Sequence, residues 1–174
     1  MKKTLNTSIL GVVIFFVVIC LVVVANAALP LTLATPIYET TKYQDSQWST
    51  ACVSDMTQVD NDIKSLTTAA KNYDFTSAST YANTLYTDSQ KAVVDSELYS
   101  VSPDLQGAKD EYRLAMAQAN RVAVYANSGV EEYNHGNFEA INTDLKQAIE
   151  CVKSYNEHIK KVVKLSNNYK SNKN

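Results

Sequence analysis

From Trp48 to Tyr169, apolar side chains return every three or four residues, and this rhythm breaks at only three places. Such positions fall on one stripe of an α-helix, so a chain patterned this way must fold by burying helix stripes against one another. The first stripe reads Trp48, Cys52, Met56, Val59, Ile63, Leu66, Ala70 and Tyr73, and predicts helix 1 over about 44–72. Asp74 is an N-cap for the next helix. Its stripe is Phe75, Ala78, Ala82, Leu85, Ser89, Ala92, Ser96 and Tyr99, placing helix 2 over about 75–101 with two serines weakening the seam. Ser102-Pro103-Asp104 combines a capping residue, a proline at the first helical position and an early carboxylate suited to the helix dipole. Helix 3 therefore spans about 103–135, along Leu105, Ala108, Tyr112, Ala115, Ala119, Val122, Ala126, Val130 and Tyr133. Gly136 is a stop and Asn137 a cap for helix 4, about 138–169, whose stripe runs through Phe138, Ile141, Leu145, Ala148, Val152, Tyr155, Ile159 and Val162. The tail, 170–174, is expected to fray.

Beyond Gly11 there are only three glycines, at 107, 129 and 136, and only three prolines, at 30, 36 and 103, which suits long helices. Short connections force neighbouring helices antiparallel. The expected fold class is all-α: an antiparallel up-down-up-down four-helix bundle with a slight left-handed, coiled-coil-like supercoil. A local echo links its two hairpins, since Asn72-Tyr73-Asp74-Phe75 opens helix 2 much as His135-Gly136-Asn137-Phe138 opens helix 4.

Ahead of the bundle lies the uninterrupted apolar run Ile9 to Ala25, preceded by Lys2 and Lys3 and followed by Ala25-Asn26-Ala27. Residues 1–27 fit two descriptions. Small residues at Ala25 and Ala27 predict a signal peptide cut between Ala27 and Ala28. The run is 17 residues long and continues apolar through Leu31, which also suits an uncleaved signal anchor. In both cases the lysines stay cytoplasmic and everything that follows is extracytoplasmic, either secreted or anchored by residues 9–25. Cys20 follows Val18 and Ile19, where a lipidation signal places small residues, so a lipoprotein is not expected. Residues 28–43 carry two prolines and no helical period, and read as an extended tether.

The exported part carries 14 basic against 18 acidic residues, which argues against a broadly basic nucleic-acid binder. Two cysteines remain there, Cys52 and Cys151. Export permits a disulfide between them. The simplest helix register, however, sets Cys151 level with about residue 60, roughly 12 Å from Cys52, where a bridge needs Cα atoms within about 7 Å. Free buried thiols are the competing expectation.

Few residues bear catalytic or ligating chemistry. Glu132 and His135 form one Glu-x-x-His element, whereas carboxylate-bridged di-iron bundles need two and further inward glutamates. Met56 and His158 are the candidate haem ligands, with Met56 level with Tyr155 in the simple register, one turn from His158. This is similar to small exported haem-b four-helix cytochromes, a likeness confined to architecture and that one pair. There is no Gly-x-Ser-x-Gly elbow, no Cys-x-x-Cys-His and no phosphate-cradling glycine loop. No cofactor, metal or enzymatic activity is therefore expected.

Lys160, Lys161, Lys164 and Lys170 make the C-terminal end basic. They read either as a patch for anionic headgroups or wall polymer, or as charges that suit a helix C-terminus and face Asp45 and Asp55. Tyr73, Tyr99, Tyr112, Tyr133, Tyr155 and Tyr169 fall on the seams and are expected in the core. Tyr81, Tyr86 and Tyr125 lie off them, and with the polar seam of helix 2 they suggest a homodimer face. The resulting expectation is an exported or membrane-tethered, non-enzymatic bundle with a binding, adhesion or envelope-structural role and a protein or envelope partner. The alternatives are an extracytoplasmic ligand-sensing module, as in chemoreceptor input bundles, working with a membrane partner, and the haem-b electron carrier.

Overall fold

A computed structural model describes residues 43–173. The apolar run and all of the expected tether except Tyr43 lie outside the described residues. The chain is all-α, with four helices and no strand among the described residues: α1 (Asp45–Lys71), α2 (Phe75–Glu97), α3 (Pro103–Asn134) and α4 (Phe138–Lys173). Among the described residues, no helix is long and apolar enough to cross a membrane.

Two helix ends differ from expectation, both because of the start of α1. Helix α2 stops at Glu97, short of Val101. The freed residues clasp α1 instead: the Gln44 amide donates to Ser100 O at 2.7 Å, and the Ser102 amide donates to the buried Asp45 carboxylate at 2.7 Å. A further helical turn would withdraw those groups. Ser102 holds the N-cap position with Pro103 behind it, yet its hydroxyl makes no capping bond. At the other end of the chain, α4 continues through Lys173. The expected fraying from 170 is offset because the Tyr169 hydroxyl donates to Asp45 at 2.5 Å and ties the last turns to α1.

The α1–α2 and α3–α4 turns share one geometry. The amides of Tyr73 and Asp74 return to Ala70 O and Ala69 O at 3.2 and 3.0 Å, and those of Gly136 and Asn137 return to Tyr133 O and Glu132 O at 3.0 and 2.9 Å. Each is a Schellman stop. Each is followed by a side-chain cap, Asp74 accepting from the Ser77 amide at 3.0 Å and Asn137 from the Ala140 amide at 3.3 Å. The sequence echo is thus one structural device used twice.

Packing between the helices is uneven. Gly129 lies against α4 so closely that a Cβ there would stand 3.8 Å from Asp144 Cβ. Helix α1 approaches α2 and α3, but no Cα of α1 comes within 8 Å of one in α4. Tyrosines bridge that wider seam, Tyr155 donating to Asp60 at 2.9 Å and Tyr169 to Asp45. Numbers rise along α1 as they fall along α4, so the two run antiparallel. Asp60, rather than Met56, stands opposite Tyr155, which is one helical turn from the simple register.

The serines of the α2 stripe are buried and matched. The Trp48 indole donates to Ser96 Oγ at 2.9 Å. Ser89 Oγ donates to Tyr86 O at 3.0 Å and accepts from Asn120 Nδ2 at 3.3 Å. The polar seam of helix 2 is therefore satisfied within the chain.

Gly136 has φ +73° and nothing within 4 Å of where a Cβ would sit, so Gly136→Ala meets only the backbone penalty. That substitution should cost about 1 kcal/mol. Gly129→Ala, in a helix interior with ordinary contact distance, should instead stabilise by about 0.4–1 kcal/mol. Thermal melts by circular dichroism check the opposite signs.

Candidate functional site

The hairpin end of the domain carries a cluster of aromatic side chains that the stripes placed in the core. Tyr73 and Tyr133 are 48% and 44% exposed, and Phe138 is exposed beside the second turn. This corrects the expectation for both tyrosines. The stripe ends where the helices end, so its last residue has no facing helix to cover it. Phe75 joins the two tyrosines: its ring stacks on Tyr133 with centroids 4.0 Å apart and meets Tyr73 edge-on at 6.4 Å.

Tyr73 sits at φ 57°, the only non-glycine with positive φ among the described residues. This is the position that Gly136 fills in the other hairpin. A side chain there costs roughly 1–2 kcal/mol relative to the right-handed region, and Tyr73 is only half buried in return. Backbone strain of this kind, held at a surface, is a pointer to function.

Directly beneath Phe75 lies an apolar cavity of about 60 Å³. From α1 it is lined by Ile63, Leu66, Thr67 and Ala70, and from α4 by Ile141, Leu145, Ala148 and Val152. It therefore lies on the seam where α1 and α4 keep their backbones apart. Phe75 and Ala78 of α2 and Val122, Ala126, Gly129 and Val130 of α3 complete the wall. The Thr67 hydroxyl donates to Ile63 O at 2.6 Å and presents no free donor to the interior.

The residues singled out from the sequence fall elsewhere and mostly apart. Cys52 and Cys151 are buried free thiols. Cys52 shares a small cavity with Val162 and Val163, so along α4 it is level with a point eleven residues from Cys151, about 16 Å away. A bridge is out of reach. Burial, as the largest cause, raises both thiol pKa values.

Met56 lines that same small cavity of about 30 Å³. His158 instead turns to α3, its Nδ1 2.5 Å from Glu111 Oε2, and Lys161 Nζ lies 3.5 Å from the same carboxylate. The His158 hydrogen bond, first among the causes, holds the Glu111 carboxyl below its usual range. His158 is thus committed to Glu111, and it is not among the residues that line the cavity beside Met56. His135 is the exposed C-cap of α3 and the Glu132 carbonyl closes the turn. No group of three or more histidines, cysteines or carboxylates among the described residues is arranged for a metal.

Lys160, Lys161 and Lys164 are exposed along α4. Asp45 and Asp55 each accept from a tyrosine, Tyr169 at 2.5 Å and Tyr112 at 2.9 Å. Tyr112 and Tyr155 are buried, as their stripe positions predict, and Tyr81 and Tyr86 are exposed.

One buried carboxyl escaped the sequence reading. Asp62 accepts from Gln58 Nε2 at 3.0 Å through Oδ1, while its buried Oδ2 has no donor. Burial, and then the charge of Asp88 on α2, push it up from 3.8 to about 6. Its position just off the stripe, beside Ile63, was the only available signal.

The folded state holds this proton where the unfolded chain has lost it, so stability rises as pH falls through about 6 and the gain is complete below the ordinary value of 3.8. Asp55 and Asp60 are raised in the same direction, mainly by burial. Asp62→Asn should raise Tm at pH 7.5 and flatten its increase between pH 7.5 and 5. Melts of both proteins across that range check this, and a variant less stable than the parent at pH 7.5 counts against it.

Compared with protein-family models, with curated proteins and with solved structures, the chain matches none.

Proposed function

We propose that this protein is an exported, membrane-tethered or secreted helical bundle of up-down-up-down topology that acts by binding rather than by catalysis. Its partner is a protein or envelope component, and the role is adhesion or envelope structure. The observation that carries this reading is the aromatic hairpin end, above all Tyr73, a half-exposed ring held at positive φ. Aromatic rings offer large contact area at low entropic cost, which is why they dominate binding hot spots.

Geometry gives the same surface a natural orientation. An even number of helices returns both chain ends to one end of the bundle. If residues 9–25 stay in the membrane, the hairpin end projects outward. Helix α1 has 27 residues, so that end stands about 40 Å beyond Asp45. The charge pattern fits: residues 160–173 carry five lysines and no acid in the membrane-proximal half of α4, where anionic headgroups attract them.

An extracytoplasmic sensing role is the second reading, and the cavity beneath Phe75 favours it. It requires a membrane partner to carry the signal.

Intact mass and membrane fractionation of the expressed protein decide between the cut and the anchored forms. Tyr73→Gly and Tyr133→Ala should each weaken retention of the protein by isolated envelope material at least fivefold. Tyr73→Gly should leave Tm equal or higher, because glycine relieves the left-handed backbone. Undiminished retention of both variants would remove the hairpin end as the binding surface.

A further inference from the structure

The two hairpins close with the same stop and cap, but only the first sets that turn beside an open polar cleft. The cleft lies between α1 and α2 and has a volume of about 330 Å³. Its α1 wall runs from Lys64 to Asn72, about 12 Å at 1.5 Å per residue. Asp74, Ser77 and Tyr81 form the α2 wall, and buried Ala69 lies between the two. Ser65, Ala69 and Ser77 are small where the helices meet, which leaves the space open.

The polar groups along the cleft have bonding capacity to spare. Among the described residues, the side chains of Lys64, Ser65, Asn72 and Tyr81 make no hydrogen bond or ion pair. Asp74 accepts from the Ser77 amide at 3.0 Å, and its hydrogen bonds to Ser77 hold the carboxyl below its usual range. It is therefore an ionised acceptor, and a carboxylate has further lone pairs to offer. The wall thus presents donors from Lys64, an acceptor from Asp74, and groups that both donate and accept from Ser65, Asn72 and Tyr81. Hydroxyl groups, which also do both, match such a mixed set.

Charge and shape narrow the ligand further. The charges of Lys64 and Asp74 cancel, so neither an anion nor a cation is favoured. Both side chains are exposed, and ion pairs with a zwitterion gain little in water. Tyr81, 38% exposed, adds a flat face on which the C–H groups of a ring can rest. Small-molecule pockets start at about 300 Å³, and a cavity that admits one benzene ring is about 150 Å³. The cleft has room for two six-membered rings whose outer hydroxyls stay in water.

The second hairpin offers a comparison within the chain. Aligned on Asp74 and Asn137, it carries Glu131 and Glu132 where the first has Thr68 and Ala69, and Asp144 where the first has Tyr81. The shared turn geometry therefore does not require the neutral walls or the ring.

We propose that the α1–α2 cleft binds a neutral disaccharide unit, one sugar ring resting on Tyr81 and the hydroxyls shared among Lys64, Ser65, Asn72 and Asp74. The site makes a glycan the envelope component of the binding role proposed above, and rests on that reading.

The test is titration of the isotope-labelled full chain, in a detergent without sugar, followed by NMR of its backbone amides. The probes are cellobiose, maltose and N,N′-diacetylchitobiose, with a sulfated disaccharide and free glutamine for comparison. At least one neutral sugar should shift amides within 64–81 with Kd of about 1 mM or tighter, about tenfold below that of either charged probe. Tyr81→Ala and Asn72→Ala should each weaken this binding about tenfold at the parent Tm, while Tyr81→Phe keeps it. Tyr133→Ala, which impairs the aromatic end, should leave the sugar affinity unchanged, so loss of envelope retention and loss of sugar binding are read separately. No shift from any of the three sugars, shifts centred on 127–144, a charged probe that binds as tightly as the sugars, or undiminished binding by either alanine variant overturns the proposal.

Discussion

Helix α1 is held to the rest of the domain by hydroxyl-to-carboxylate hydrogen bonds. Tyr169, Tyr112 and Tyr155 donate to Asp45, Asp55 and Asp60 from α4, α3 and α4 in turn. A bond to a charged acceptor is stronger than a neutral one, and a slide of α1 by one turn would break all three. The tyrosine ring also spans a gap that leucine could not. That reach lets α1 and α4 pack without close backbone approach, and the apolar cavity is a consequence of the same spacing.

The other interfaces use different polar pairs. Trp48 with Ser96 joins α1 to α2, and Asn120 with Ser89 joins α2 to α3. Glu111 with His158 joins α3 to α4. Because each pair is chemically distinct, each interface accepts one neighbour in one register. Apolar stripes of alanine, valine and leucine are interchangeable by comparison and would not discriminate.

The two hairpins show how one device serves different ends. Both close with the same Schellman stop and side-chain cap. Gly136 occupies the left-handed position without steric cost, whereas Tyr73 occupies it with a ring exposed to solvent. The second choice gives up stability and gains a surface aromatic that rests against Phe75, whose other neighbour is Tyr133. Phe75 thus links the strained turn to the cavity, since it touches Tyr73 and also lines the space beneath.

Helix number and the residues facing inward were legible in the sequence, because a 3.6-residue stripe such as Ala78, Ala82, Leu85, Ser89, Ala92 and Ser96 can be buried in only one way. The hairpin stops were legible too, since Asp74, Gly136 and Asn137 act on their own local backbone. What only the tertiary structure decided depends on partners distant in the chain. The early end of α2 follows from Asp45 claiming the Ser102 amide, and the register of α1 on α4 from Tyr155 finding Asp60. The exposure of Tyr73 and Tyr133 follows from where the helices run out. The cavity beneath Phe75 arises from residues on separate helices that enclose one volume only after packing. Sequence periodicity reports what each helix must bury, while the fit between helices settles which side chains meet and where space is left.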